Sequence, residues 1–269
     1  MRGTLHRRHG IPNQDAVLWS PPYGSADFAA TAVADGHGSN RCFRSEAGAR
    51  VAVEVGLTLV SDVMARATSS RDAAALEQLS QRLTETWTET VAADLERHAF
   101  SEQELKQLEV QEGPDARVEV LEGPALAYGT TLLLAGADER GVVLLQIGDG
   151  DILTVSEAGA VTRPLPPDPR SVGNATASLA HASAWQAART RSIPAAEAPV
   201  PSLVLASTDG YANSFADDAG FLQVGSDLLA MIRADGLEAV GIQLEGWLGE
   251  VSELGSGDDV SVGLLVGVE

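Results

Sequence analysis

Four short acidic sequences, far apart along the chain, constrain its fold more than any other feature: Asn13-Gln14-Asp15, Asp35-Gly36-His37-Gly38, Asp209-Gly210 and Gly257-Asp258-Asp259. Each falls where an apolar, strand-like run gives way to a loop. A carboxylate at such a boundary is held by rigid backbone yet still reaches solvent. Several converging carboxylates repel one another unless a hard cation neutralises them. Mg²⁺ and Mn²⁺ answer that need, because both prefer oxygen ligands and keep several waters. A water shared by two such ions becomes a hydroxide near neutral pH and can attack a phosphorus centre, with no cysteine or serine nucleophile required.

The segments between these motifs set the expected architecture. Residues 16–19 and 28–34 read as two strands joined by a turn at Pro21-Pro22-Tyr23-Gly24. Residues 45–67 are rich in Ala, Val and Leu without proline, and their apolar positions cover much of a helix circumference, as burial on two sides requires. From 71 to 98 the stripe is cleaner: Leu76, Leu79, Leu83, Trp87, Val91 and Leu95 recur at steps of three and four, with Glu77, Gln81, Glu85 and Glu89 opposite. These two helices are expected to pair antiparallel over a sheet.

Residues 112–124 carry Gly and Pro at both ends and read as a loop. Strands follow at 130–135, 142–147 and 152–155, with a fourth near Val161. An irregular Pro- and Ala-rich stretch runs from 164 to 201. Residues 203–206 form a buried strand that delivers Asp209. Helical patterns at 226–233 and 237–248 precede a closing strand at 260–266. Strands at both ends, long helices after the first hairpin and shorter ones near the end fit two packed antiparallel sheets flanked by helices. This is an α+β, four-layer α-β-β-α sandwich, and residues 1–269 read as one domain.

Composition narrows the partners. Lys and Arg number 18 against 38 Asp and Glu, a formal net charge of −20. That opposes nonspecific nucleic-acid binding and docking on anionic membranes, both of which use clustered basic residues. Basic residues near the start are not followed by an apolar stretch of the signal-peptide type, and the longest apolar runs are of strand length. A soluble cytoplasmic protein is expected. Cys42 is the sole cysteine, which excludes an internal disulfide and a cysteine-based zinc site; its expected role is that of a packing thiol.

Together with Tyr128-Gly129-Thr130-Thr131, Gly148-Asp149-Gly150-Asp151 and Ser207-Thr208-Asp209-Gly210, the acidic motifs resemble, in order and spacing, those of the metal-dependent protein phosphatases. These are the protein phosphatase 2C-like Ser/Thr phosphatases, and the similarity is greatest to the compact bacterial members. It extends from about Gly3 to Val268. It implies the same α-β-β-α sandwich, with two Mn²⁺ or Mg²⁺ ions at one end and a weaker third.

By this resemblance Asp35 bridges both metals and the Gly36 carbonyl binds one. Asp209 and Asp258 hold the first metal, Asp15 holds the second through water, and Asp149 helps bind the third. His37 matches the position proposed as general acid, a task suited to an imidazole titrating near neutrality. His6, His9, His98 and His181 stand in no comparable motif, and the resemblance gives them no role; His6 and His9 are only near enough in sequence to Asp15 to line an entrance. The chain departs from the family pattern at three points. Asn213 stands where a further acid is common. Gly10 stands where many members carry a phosphate-gripping arginine, so Arg41 and Arg44, ahead of Arg7 and Arg8, are the expected substitutes. Asp259 replaces the usual asparagine and is expected to add negative charge to the site.

The resemblance implies a phosphomonoesterase acting on phosphoserine and phosphothreonine in proteins, with phosphoprotein substrates and a cognate Ser/Thr kinase as partners. One alternative is a metal-binding regulatory or inactive relative that recognises a phosphoprotein without turnover. Another is an aspartyl-phosphate mechanism, suggested by Asp149-Gly150-Asp151 after an apolar strand. The surrounding sequence lacks the alternating α/β pattern which that chemistry usually accompanies.

Overall fold

In the computed structural model, residues 1–22, 26–66, 70–166 and 176–267 are described. Aliphatic runs bounded by acidic or glycine turns become strands, and the proline-free amphipathic stretches become helices. In chain order the elements are α1 (Thr4–His9), β1 (Asp15–Ser20), β2 (Phe28–Asp35), α2 (Ser45–Ala65), α3 (Ala73–Arg97), α4 (Glu102–Glu112), α5 (Pro114–Glu122), β3 (Leu132–Asp138), β4 (Gly141–Ile147), β5 (Asp151–Val155) and β6 (Val161–Thr162). They continue with α6 (Ala184–Ala187), β7 (Arg189–Pro194), β8 (Leu203–Ser207), α7 (Asp209–Ala212), α8 (Asp218–Asp235), α9 (Leu237–Leu254) and β9 (Val262–Val266).

The strands form a five-stranded sheet, β1-β2-β3-β4-β7, and a four-stranded sheet, β6-β5-β8-β9, in which every named pair is antiparallel. Apolar side chains fill three layers. Val33, Leu133, Leu144, Ile152 and Val204 pack between the sheets. Val53, Val60, Leu83, Trp87 and Leu134 join α2 and α3 to the larger sheet. Leu205, Phe221, Leu228 and Val240 join α8 and α9 to the smaller one. The result is the α-β-β-α sandwich. The two long helices run antiparallel as expected: the Trp87 indole in the second half of α3 donates to the Gly48 carbonyl near the start of α2 at 3.1 Å. No helix among the described residues is long and apolar enough to cross a membrane.

Several expectations are corrected. The segment 112–124 is not a loop; its Gly113-Pro114 pair is the boundary between α4 and α5. Ser101 and Glu104 close a capping box at the start of α4, and Pro114 occupies the first turn of α5, where its missing N–H costs nothing. The irregular stretch contains α6 and β7. The latter reads as polar because it is an edge strand, paired only with β4. Residues 167–175 of that stretch, and Tyr23 and Gly24 of the first turn, lie outside the described residues. Helix α8 begins earlier than its apolar pattern, at an Asp217 cap whose carboxylate accepts the Gly220 N–H at 2.8 Å. Helix α1, too short for a periodic signal, was not anticipated.

Candidate active site

Antiparallel pairing brings the acidic motifs to one end of the sandwich. Asp15 opens β1 and stands opposite Asp35, which closes β2. Asp149 lies in the turn between β4 and β5, Asp209 follows β8, and Asp258 precedes β9. All three positions fall at that same end because β5, β8 and β9 are successive antiparallel neighbours. A cleft of about 370 Å³ opens there. Asp35, Asp149, Asp209 and Asp258 line it, with His37 and Cys42 also at its wall and the hydroxyl residues Ser39, Thr131 and Thr176 beside them. Asp15 is buried and does not line the cleft.

The surrounding motifs hold these groups in place. The Asp35 N–H donates to the Thr131 hydroxyl at 3.0 Å, while the Thr130 hydroxyl and the Thr131 N–H both donate to the Asp35 carbonyl at 2.8 Å. Gly36 donates its N–H to the Gln14 carbonyl at 3.1 Å. A Cβ at position 36 would fall 2.7 Å from that oxygen and 2.8 Å from the Ser45 carbonyl, so only glycine fits. The His37 N–H donates to the Gly129 carbonyl at 3.0 Å, which fixes the loop carrying the imidazole. Thr208 donates to Asp15 Oδ2 at 2.9 Å, Asn213 to Asp209 Oδ2 at 3.1 Å and Thr176 to Asp149 Oδ2 at 2.6 Å. Asn213, standing where an acid is common, therefore orients Asp209. Thr176 carries no signal in the sequence because it lies within the irregular stretch 164–201, in no motif.

The electrostatics of the end wall point the same way. Burial pushes Asp15 up to about 8 against the Thr208 hydrogen bond, and the Asp259 charge adds to the rise. Burial first, then the charges of Asp15 and Asp209, hold Asp35 well above the usual carboxylate range. Asp209 is raised by burial and by Asp149, opposed by its hydrogen bond with Asp35. Burial lowers His37 while Asp149 pulls it upward. No Lys or Arg is among the described residues lining the cleft.

Asp15 Oδ1 is buried without a hydrogen-bond partner. An orphaned buried carboxylate oxygen beside mutually repelling acids, all of them hard oxygen donors, fits Mg²⁺ or Mn²⁺ rather than a soft ion. Among the described residues no three acid, histidine or cysteine side chains are gathered into a set ready to enclose one ion.

The basic residues expected to meet phosphate lie elsewhere. Arg41 pairs with Glu112 and with Glu119, the latter at 3.0 Å, and so reaches α4 and α5. Arg44 forms a two-point contact with Glu104 at 2.8 and 3.1 Å, donates to the Tyr128 hydroxyl at 2.9 Å and lies 4.7 Å from the centre of the Phe100 ring. Neither lines the cleft. The glutamates that claim them belong to α4, for which the sequence carries no assignment, and to α5, where the sequence reads as a loop. Arg7 and Arg8 are exposed on α1.

Asp259 adds negative charge to the site as expected, through its effect on Asp15, but from outside the cleft. It is buried, and its carboxylate turns to the Gly3 N–H, the Gln14 N–H and His6 Nδ1 instead of entering the cleft. Cys42 packs against Gly129 at the cleft wall, and burial pushes its thiol up. Asp151 pairs with Arg163 at 2.6 Å on a strand whose neighbours are both antiparallel. That removes the structural setting for the aspartyl-phosphate alternative.

The family profile described as Protein phosphatase 2C matches residues 2–249. No curated protein sequence matches the chain. Among solved structures, a bacterial serine phosphatase is similar at 14% identity and a TM-score of 0.56, covering 96% of this chain and 92% of that one. The Mycobacterium tuberculosis serine/threonine phosphatase PstP/Ppp is similar at 15% identity and a TM-score of 0.55, covering 98% and 94%. Serine/threonine phosphatase Stp1 from Staphylococcus aureus is similar at 14% identity and 0.55, covering 96% and 90%. At these identities the structural likeness speaks for the fold.

Proposed function

Because the chain belongs to the protein phosphatase 2C family, we propose that it is a metal-dependent phosphomonoesterase that removes phosphate from phosphoserine and phosphothreonine in proteins. The observation that carries this reading is the convergence of Asp35, Asp149, Asp209 and Asp258 on one cleft beside His37, with Asp15 directly across the strand pair from Asp35. Asp35, Asp209, Asp258, the Gly36 carbonyl and, through water, Asp15 would hold two divalent cations, and Asp149 would contribute to a weaker third. Bound there, Mn²⁺ or Mg²⁺ would supply an acidified water and neutralise charge on the phosphoryl oxygens.

The chain's own residues do the rest. Thr208 and Asn213 orient Asp15 and Asp209, and Thr130 and Thr131 fix the backbone of Asp35. His37, at the cleft wall, gives its proton to the seryl or threonyl oxygen as the P–O bond breaks. In this reading residues 1–269 act as a single catalytic domain in the cytoplasm. Its partners are phosphoproteins and a Ser/Thr kinase whose effect it reverses. The whole-chain charge of −20 disfavours nucleic acid and anionic membranes as partners.

One observation favours the second reading, a regulatory relative that binds without turnover: no Arg or Lys among the described residues lines the cleft to grip phosphate. Hydrolysis of para-nitrophenyl phosphate by the purified chain, with Mn²⁺ and then with excess chelator, separates the two. Mn²⁺-dependent release of nitrophenolate is the expected result. Mn²⁺ binding without any release would favour the regulatory relative.

A further inference from the structure

Three of the candidate ligand carboxylates, Asp15, Asp149 and Asp209, are each steadied by a hydrogen bond from another side chain. Thr208 serves Asp15, Asn213 serves Asp209 and Thr176 serves Asp149, while Thr130 and Thr131 fix the backbone of Asp35. Asp258 lies on a turn that follows Gly257 in the left-handed region, at φ 75°, and its side chain is 52% exposed. Its Oδ1 accepts the Asp259 N–H at 2.8 Å. The side chain that faces it is His6, whose Nε2 stands 3.5 Å from the same oxygen.

His6 is itself held. Its Nδ1 lies 2.8 Å from Asp259 Oδ2, and its side chain is largely buried. The Asp259 carboxylate also accepts the Gly3 N–H on Oδ1 at 2.6 Å and the Gln14 N–H on Oδ2 at 2.7 Å. An asparagine at 259 would offer one acceptor oxygen and one N–H₂ group, which would meet a donor on the Gly3 or the Gln14 and His6 side. The aspartate at this position and the histidine at position 6 therefore belong together. Helix α1, which carries His6, is seated on the same turn. The Leu5 N–H donates to the Gly257 carbonyl at 2.9 Å, and a Cβ at Gly3 would fall 2.3 Å from the Asp258 carbonyl carbon.

We propose that His6 is a positioning residue which, locked by Asp259, sets the orientation of Asp258 and so the affinity of the centre for a divalent cation. It acts from behind the ligand, as outer-shell partners of metal ligands do, and touches neither substrate nor the reacting atoms. The inference rests on the metal-dependent reading of the cleft.

Its test is the Mn²⁺ affinity of the full chain, measured by titration calorimetry in the absence of substrate. The proteins compared are the parent, His6→Ala, Asp259→Asn, the double variant and His9→Ala, an exposed position on the same helix. Thermal unfolding in chelator checks that each is folded. His6→Ala should weaken Mn²⁺ binding by about 10- to 100-fold, the range typical for loss of such a partner. Asp259→Asn should weaken it comparably, the double variant should be no weaker than the worse single, and His9→Ala should match the parent. A folded His6→Ala with parental affinity overturns the proposal, as does full additivity in the double variant. If His6→Ala does not fold, a folded Asp259→Asn with parental affinity overturns it equally. Should the parent itself bind no Mn²⁺, the metal-dependent reading fails and the inference with it. Equal binding by parent and His6→Ala removes the inference alone.

Discussion

Asp15 titrates near 3.8 in an unfolded chain and at about 8 in the folded one, chiefly because it is buried. Between those values the native state keeps a proton that the unfolded chain has released. This contribution to stability is therefore full below the lower value and drains as pH rises through the higher one. The thermal midpoint of chelator-treated protein should fall across this window, and Asp15→Asn should flatten the fall; an identical pH profile for the two would contradict the assignment. His37 calls for a different measurement. His37→Ala should slow hydrolysis of a phosphothreonine peptide by about 10²- to 10⁴-fold, as loss of a positioned acid does. It should affect para-nitrophenyl phosphate far less, since nitrophenolate leaves without a proton, and equal losses on both would remove His37 from that role. The positions of Asp35, His37, Asp209 and Asp258 were legible because each stands in a short motif at a strand boundary. Thr176 and the Asp259–His6 pair were not, because their meaning arises from contacts between residues far apart in sequence.

The hairpin of α4 and α5 is where element and residue readings diverge most. Arg44 reads as a phosphate ligand only where 112–124 is taken as a loop and the segment carrying Glu104 has no helix of its own. With Glu104, Tyr128 and Phe100 around it, Arg44 anchors this hairpin to the start of α2. Arg44→Ala should then destabilise the fold by on the order of 2 kcal/mol and leave KM for phosphate esters unchanged; a large rise in KM with no loss of stability would restore the earlier expectation. The Arg44 guanidinium, with help from Ser101, holds Glu104 at about 2, below its usual 4.5. Its share of stability is thus present above 4.5 and is lost as pH falls toward 2. Elements with a clean period were readable, as the stripe of α3 shows. Helix α5 was hidden by its flanking Gly and Pro, and β7 by the polarity of an edge strand.

At the scale of the whole molecule, two sheets and two helical layers bring to one end acids that span the sequence from Asp15 to Asp258. The layer order was legible because strand runs, long amphipathic helices and acidic boundaries recur in an order that few folds accommodate. The course of residues 164–201 was not, since neither β7 nor α6 has a period of its own. On the metal-dependent reading a bound cation adds its binding free energy to the folded state, so Mn²⁺ should raise the thermal midpoint of chelator-treated protein near neutral pH. Without an arginine or lysine lining the cleft among the described residues, small phosphate esters should bind weakly. The most direct measurement is steady-state hydrolysis of a phosphothreonine peptide with Mn²⁺ by the parent chain and by Asp35→Ala, each shown to be folded. Turnover by the parent that stops in chelator, and is absent in Asp35→Ala, is the expected result. Turnover that persists in chelator, or survives in Asp35→Ala, would contradict a metal-dependent phosphatase centred on Asp35.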